Sequence, residues 1–160
     1  DAPAAASRGI SAHTDFEFFT LMHQDAPGLQ FLPPTSKPRE WIDAPVRPGE
    51  FVVIVGDMLE RLTNGAFVAT PHRVLLTPHP RNSIIRFNAL AAETRVAPLP
   101  HFGAPRYSSC VMKVHMETTM RNLAAGKGSW DDATQTSTTA TYTYVDDQDP
   151  LLLQEQASPA

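Results

Sequence analysis

His13 and Asp15 stand two residues apart in "GISAHTDFEFFTL" (9–21), a run whose composition otherwise predicts a β-strand. Side chains at i and i+2 of a strand point the same way, so an imidazole and a carboxylate there can grip one object together. A metal ion is one such object, and it needs a third ligand from elsewhere in the chain. The alternative reading is a solvated strand end, where His and Asp are common. The remaining histidines are His23, His72, His79, His101 and His115. Of these, His72 has the most informative surroundings. It follows the Asn64-Gly65 turn in a strand-like run, and "RNSIIRF" (81–87) begins nine residues later.

In that second stretch Arg81, Ser83, Ile85 and Phe87 alternate onto one strand face. A guanidinium and a hydroxyl beside two large apolar groups suit a pocket, where Arg and Ser receive a carboxylate and the apolar residues exclude water. Two histidines and one carboxylate are the facial set that holds mononuclear non-haem Fe(II) and leaves the opposite positions open. The absence of a cysteine cluster argues against a structural zinc site. On residue types alone His13, Asp15 and His72 remain one combination among several.

These residues need a scaffold, and length and composition constrain it. A chain of 160 residues builds one domain with a sizeable core. Fifteen prolines against eight glycines, among short β-branched and aromatic runs, predict a turn-rich, mainly β architecture of the sandwich or jelly-roll kind. Strands are expected at "FEFFTLMHQ" (16–24), "GLQFL" (28–32), "FVVIVGDML" (51–59), "AFVATPHRVLL" (66–76) and "SIIRFNALAAE" (83–93). Val111, Met112, His115, Met116, Met120 and Leu123 recur at helical spacing, and Gly126 and Gly128 supply a stop, so one amphipathic helix is expected there. Beyond it, six threonines between 134 and 143 and no durable periodicity predict a low-complexity tail over 126–160 that is disordered or drapes over the body. "PLLL" (150–153) is a weak groove-docking signal. The catalytic body is expected over 1–125. A net charge of −4 with no basic block disfavours nucleic acid as a partner, and "FVVIV" is too short to span a bilayer. Cys110 is the one cysteine, so no internal disulfide forms and a reducing, cytoplasmic setting is expected.

From "GISAHTDFEFFTLMHQDAPGLQFL" through "WIDAPVRPGEFVVIVGDMLERLTNGAFVATPHRVL" to "RNSIIRF", the chain resembles the catalytic half of the iron(II)/2-oxoglutarate-dependent dioxygenases, isopenicillin N synthase-like branch. The H-x-D, the distal His and the R-x-S occur in the family's order and spacing. The resemblance implies a double-stranded β-helix, or jelly roll, with a C-terminal helix. It implies His13, Asp15 and His72 as iron ligands, and Arg81 and Ser83 as the pair that binds the distal carboxylate of 2-oxoglutarate. Fe(II) is then the cofactor, 2-oxoglutarate and dioxygen the cosubstrates, and a small molecule the substrate to be hydroxylated, desaturated or cyclised. Asp57 in "GDM" and Asn64 in "TNG" match the family and read as scaffold residues, and His115 reads as a surface or packing residue.

The chain departs from the family at Asn82, Ile85 and Arg86, where an apolar residue and a Pro-Phe-Phe run are usual; Arg86 alternates onto the outward face. Family members also carry a helical N-terminal region and an early barrel strand, whereas twelve residues precede His13 here. The expectation is therefore a C-terminal piece of an enzyme, with the N-terminal half or a second copy of the chain as a further partner. Two rival functions follow: an oxidase of the isopenicillin N synthase type that uses no 2-oxoglutarate, and a non-catalytic metal-binding module.

Overall fold

Hydrophobic alternation governs the front of the chain. The computed structural model describes residues 8–34, 39–126, 130–131, 133–134 and 136–139. Within them β1 (Arg8–His13), β2 (Phe19–Gln24), β3 (Leu29–Phe31), β4 (Ile42–Asp43) and β5 (Val52–Val55) lead into α1 (Asp57–Leu62). Then come β6 (His72–Leu75), β7 (Ser83–Asn88), β8 (Arg95–Val96), a 3-10 turn at Pro100–Phe102, β9 (Cys110–Val111) and α2 (Met112–Ala124). A short hairpin, β10 (Trp130–Asp131) and β11 (Thr136–Ser137), closes the described part. No helix among the described residues is long and apolar enough to cross a membrane.

The result is mainly β, with every strand pair antiparallel. One sheet has the order β1-β6-β3-β4 and another β5-β2-β7. In β2 burial alternates residue by residue, turning Thr20, Met22 and Gln24 inward. Met22 and Ile54 from the second sheet then pack with Leu29 from the first in one apolar cluster, so the two sheets meet face to face. A second cluster joins Met58 of α1, Val96 of β8, Cys110 of β9 and Met112 of α2.

The structure corrects three sequence expectations. The run 9–21 is not one strand: β1 ends at His13, the chain bends at 16–18, and β2 starts at Phe19. The carbonyls of the bend go to the start of α1 instead of a strand partner. The amides of Asp57, Met58 and Gly56 donate to the carbonyls of Asp15 (2.8 Å), Glu17 (3.2 Å) and Phe18 (3.1 Å). Likewise "FVVIVGDML" leaves the sheet at Val55 and coils into α1, which carries Asp57 and Glu60 in its first turn, where the helix dipole favours acids. In α2 the buried stripe is Met112, His115 and Thr119, while Met120 and Leu123 are exposed. The apolar residues that recur at 116, 120 and 123 occupy the neighbouring flank of the helix. The Asn64-Gly65 turn forms as expected, with both residues at positive φ (52° and 83°).

Part of the expected tail is ordered structure. Thr14 Oγ1 lies 2.7 Å from Ser137 Oγ and 2.9 Å from Thr139 Oγ1, so the end of β11 and the residues just after it rest on Thr14, between His13 and Asp15. The "PLLL" docking signal lies outside the described residues.

The contact of the bend with α1 permits no side chain at position 56. A Cβ added to Gly56 would stand 2.2 Å from the Glu17 carbonyl oxygen and 3.1 Å from that of Asp15. Gly56→Ala is expected to destabilise the fold by about 1–3 kcal/mol through overpacking, read as a lower urea midpoint. Gly9→Ala, whose added methyl group meets ordinary contacts at 3.5 Å, should leave that midpoint nearly in place.

Candidate metal centre

Three elements bring the two histidines and the acid together. His13 ends β1, His72 begins β6, and the antiparallel register sets them directly opposite one another. Their rings lie 4.2 Å apart, centroid to centroid. Asp15 reaches the same point from the bend. One ligand atom from each of the three lies within 4.8 Å of the others. The Nε2 atoms of His13 and of His72 are each 3.5 Å from Asp15 Oδ1. Bonds of about 2.1 Å meeting at right angles put neighbouring donors about 3 Å apart, so a small contraction suffices for one ion to reach all three.

The outer contacts aim these donors. His13 Nδ1 lies 2.8 Å from the Ser11 carbonyl and His72 Nδ1 3.1 Å from the Thr70 carbonyl. A carbonyl only accepts, so both Nδ1 atoms carry protons, which leaves the Nε2 atoms as the ones that can offer lone pairs to an ion at the shared point. Thr20 donates its hydroxyl to Asp15 Oδ2, leaving Oδ1 toward the histidines. Asp15 and His72 are buried and His13 is half-buried, so the site opens on the His13 side.

Electrostatics agree with a set made for a cation. Burial acts to raise the Asp15 carboxyl, but hydrogen bonding to His13 and Thr20 and the nearby His72 bring it below its ordinary value. Burial, together with the neighbouring His13, lowers His72. His13 is raised despite its burial, through Asp15 and the Ser11 carbonyl. Glu17, buried two residues beyond Asp15, is pushed up to about 7 by its burial. The donor set, two imidazoles and one carboxylate, fits Fe(II), which would bind His13 and His72 in place of any proton on Nε2.

A cavity of about 60 Å³ adjoins the cluster, with Met22, Ile85 and Phe87 on its other wall. On β7, Ser83, Ile85 and Phe87 pair with Gln24, Met22 and Thr20, so the inward face of β2 and the alternating residues of β7 form one continuous surface leading from the cluster. Arg81 precedes β7 and donates from Nη2 to Gln24 Oε1 at 3.0 Å. Arg81 and Ser83 therefore meet at Gln24, roughly 13 Å along β2 from Thr20 at 3.3–3.4 Å per residue. The expected water-excluding wall is open in this chain, because Phe87 keeps 55% of its surface exposed. A larger cavity of about 230 Å³ lies between Met22, Gln24, Phe31 and Phe51 and touches none of His13, Asp15 and His72.

Sequence reading missed Thr20 and Gln24. Their signal was a polar residue recurring on the inward face of an apolar strand at positions 20 and 24. His79 and His101 stay exposed and away from the cluster. Of the surface and packing readings, His115 takes the packing one: it is fully buried on α2, 3.4 Å from Asp57 Oδ2.

Residues 2–89 match the family model described as the 2OG-Fe(II) oxygenase superfamily. The chain belongs to this superfamily. Relatives of the 2OG-Fe(II) oxygenase include gibberellin 3-beta-dioxygenase 1 of Oryza sativa subsp. japonica, 39% identical over 99 residues, or 61% of this chain and 25% of that protein. Gibberellin 2-beta-dioxygenase 2 of the same organism is 38% identical over 130 residues, 76% of this chain and 35% of that protein. Among solved structures, the rice dioxygenase for auxin oxidation superposes with a TM-score of 0.65 at 28% identity, covering 77% of this chain and 42% of that one. A full-length Neurospora crassa protein solved in complex with alpha-KG gives 0.63 at 26% identity, covering 76% and 39%. The chain thus spans between a quarter and about a third of the length of these two curated relatives.

Proposed function

We propose that this chain is the catalytic portion of an Fe(II)- and 2-oxoglutarate-dependent dioxygenase that oxidises a small molecule, with His13, Asp15 and His72 as the iron ligands. The observation that carries the reading is the donor geometry: two Nε2 atoms turned on one Asp15 oxygen, each by a carbonyl held behind it. Iron bound there would supply activation of dioxygen coupled to decarboxylation of 2-oxoglutarate to succinate and carbon dioxide.

The chain's own residues do the rest. Thr20 holds the ligating carboxylate in one orientation, and burial of Asp15 and His72 keeps water from that side. Arg81 and Ser83 would receive the distal carboxylate of 2-oxoglutarate, a reading supported by their meeting at Gln24, which accepts from the guanidinium at the far end of the same face. A planar fork on a carboxylate gives both energy and orientation. The apolar Met22, Ile85 and Phe87 between the two ends suit the carbon chain of the cosubstrate. The same reading takes the two facing sheets as the walls of a jelly roll, supported by the cluster that draws on both.

The deciding experiment is stoichiometric. The complete enzyme, given Fe(II), dioxygen, 2-oxoglutarate and a turnover substrate, is expected to release one succinate per product. Turnover that proceeds without 2-oxoglutarate would establish the oxidase alternative, in which Arg81 and Ser83 bind a substrate carboxylate instead.

A further inference from the structure

Beneath the metal-ligand bend lies a buried acid–imidazole pair that the proposed reaction does not use. Asp57 and His115 are both fully buried, and Nε2 of His115 stands 3.4 Å from Oδ2 of Asp57. Both Asp57 carboxylate oxygens are without a hydrogen-bond partner among the described residues, and the His115 ring is set against one of them. Around the pair, Met58 of α1 and Met112 of α2 belong to one apolar cluster. An unpaired charge in such surroundings is costly, and removing one member of a buried pair strands the other.

The location of the pair gives it a task. The backbone N–H of Asp57 donates to the carbonyl of Asp15 at 2.8 Å, and its neighbours Gly56 and Met58 hold Phe18 and Glu17. Any shift of Asp57 is thus a shift of the ligating carboxylate. Methionine packing is adaptable and fixes position weakly. The carboxylate–imidazole contact joins one atom of α1 to one atom of α2, and so ties the start of α1 to α2 across the interior.

We propose that Asp57 and His115 are positioning residues for the metal centre, a buried pair through which α2 fixes the bend that carries Asp15. The inference rests on the iron-ligand reading above. Neither side chain touches the metal; both act through the backbone of Asp15.

Co(II) provides a spectroscopic probe for the test. It is titrated into the full chain and its variants, under conditions where circular dichroism shows each to be folded. His115→Leu is expected to weaken Co(II) binding by about 10–100-fold, as loss of outer contacts does at other metal sites, and to change the visible Co(II) bands. Asp57→Asn keeps the backbone donor and the shape while removing the charge, and should show a smaller change in the same direction. It carries the test alone if His115→Leu does not fold. Met112→Ala, a cavity in the same helix and the same core, should lower Tm and leave the Co(II) affinity and bands as in the unaltered chain. Folded His115→Leu or Asp57→Asn with unaltered affinity and bands overturns the proposal. So does a Met112→Ala variant that weakens Co(II) binding equally, since the effect would then be general loosening. Failure of the unaltered chain to bind Co(II) overturns the iron-ligand reading itself, and this inference with it.

Discussion

His72→Ala is expected to abolish both metal retention and turnover. The substitution removes one of three donors that lie within 4.8 Å of each other, and it also removes the ring packed 4.2 Å from His13. Losing an outer contact at a metal site typically weakens binding about 10–100-fold, and losing a ligand should exceed that. Equilibrium dialysis against Fe(II) or Co(II), followed by metal analysis, measures the effect directly. His79→Ala is the control. That residue is exposed in the loop between β6 and β7, and its replacement should change neither metal content nor turnover. Equal metal content in the two variants would remove His72 from the ligand set.

Arg81→Lys is expected to weaken 2-oxoglutarate binding by roughly ten-fold or more while Fe(II) binding stays intact. A charge-assisted hydrogen bond contributes about 1.5–3 kcal/mol, and about 1.4 kcal/mol corresponds to ten-fold in affinity. Lysine keeps the charge but lacks the planar fork, so it cannot hold a carboxylate and the Gln24 amide oxygen in one plane. The checking measurement is the concentration of 2-oxoglutarate at half-maximal succinate release, beside an Fe(II) titration of the same variant. If only the KM of the primary substrate rises, the Arg81 carboxylate partner belongs to that substrate.

The ligating residue types were legible in the sequence, and the way they are held was not. His13, Asp15 and His72 stand out because imidazole and carboxylate recur at a spacing that a short extended segment can bring to one side. The reason first given for that spacing, a continuous strand, does not hold: Asp15 sits in a bend whose carbonyls are taken by α1. Nothing local to residues 14–18 announces this, because the donors lie some forty residues downstream. Thr20 could be found by alternation alone, since it falls on the inward face of β2. Asp57 and His115 could not. Each is an ordinary polar residue in its own helix, and only tertiary packing makes them neighbours. The strand set was readable from alternation and Pro/Gly turns, while short helix α1 was hidden because only Gly56 separates it from the apolar strand run before it.

The pairing of β1 with β6 has a consequence for how the chain finds its fold. Partners shift along this ladder, from Arg8 with Leu75, to Ile10 with Val74, to His13 with His72, with an irregularity at each step. In such a ladder a slip of one residue turns a side chain to the opposite face. Only the alignment that sets His13 against His72 assembles the three donors. An ion that binds that arrangement alone, present at a hundred times its Kd, favours it by about 2.7 kcal/mol over every misaligned form. The metal would then act as a proofreader of strand alignment during folding, before it takes part in any reaction.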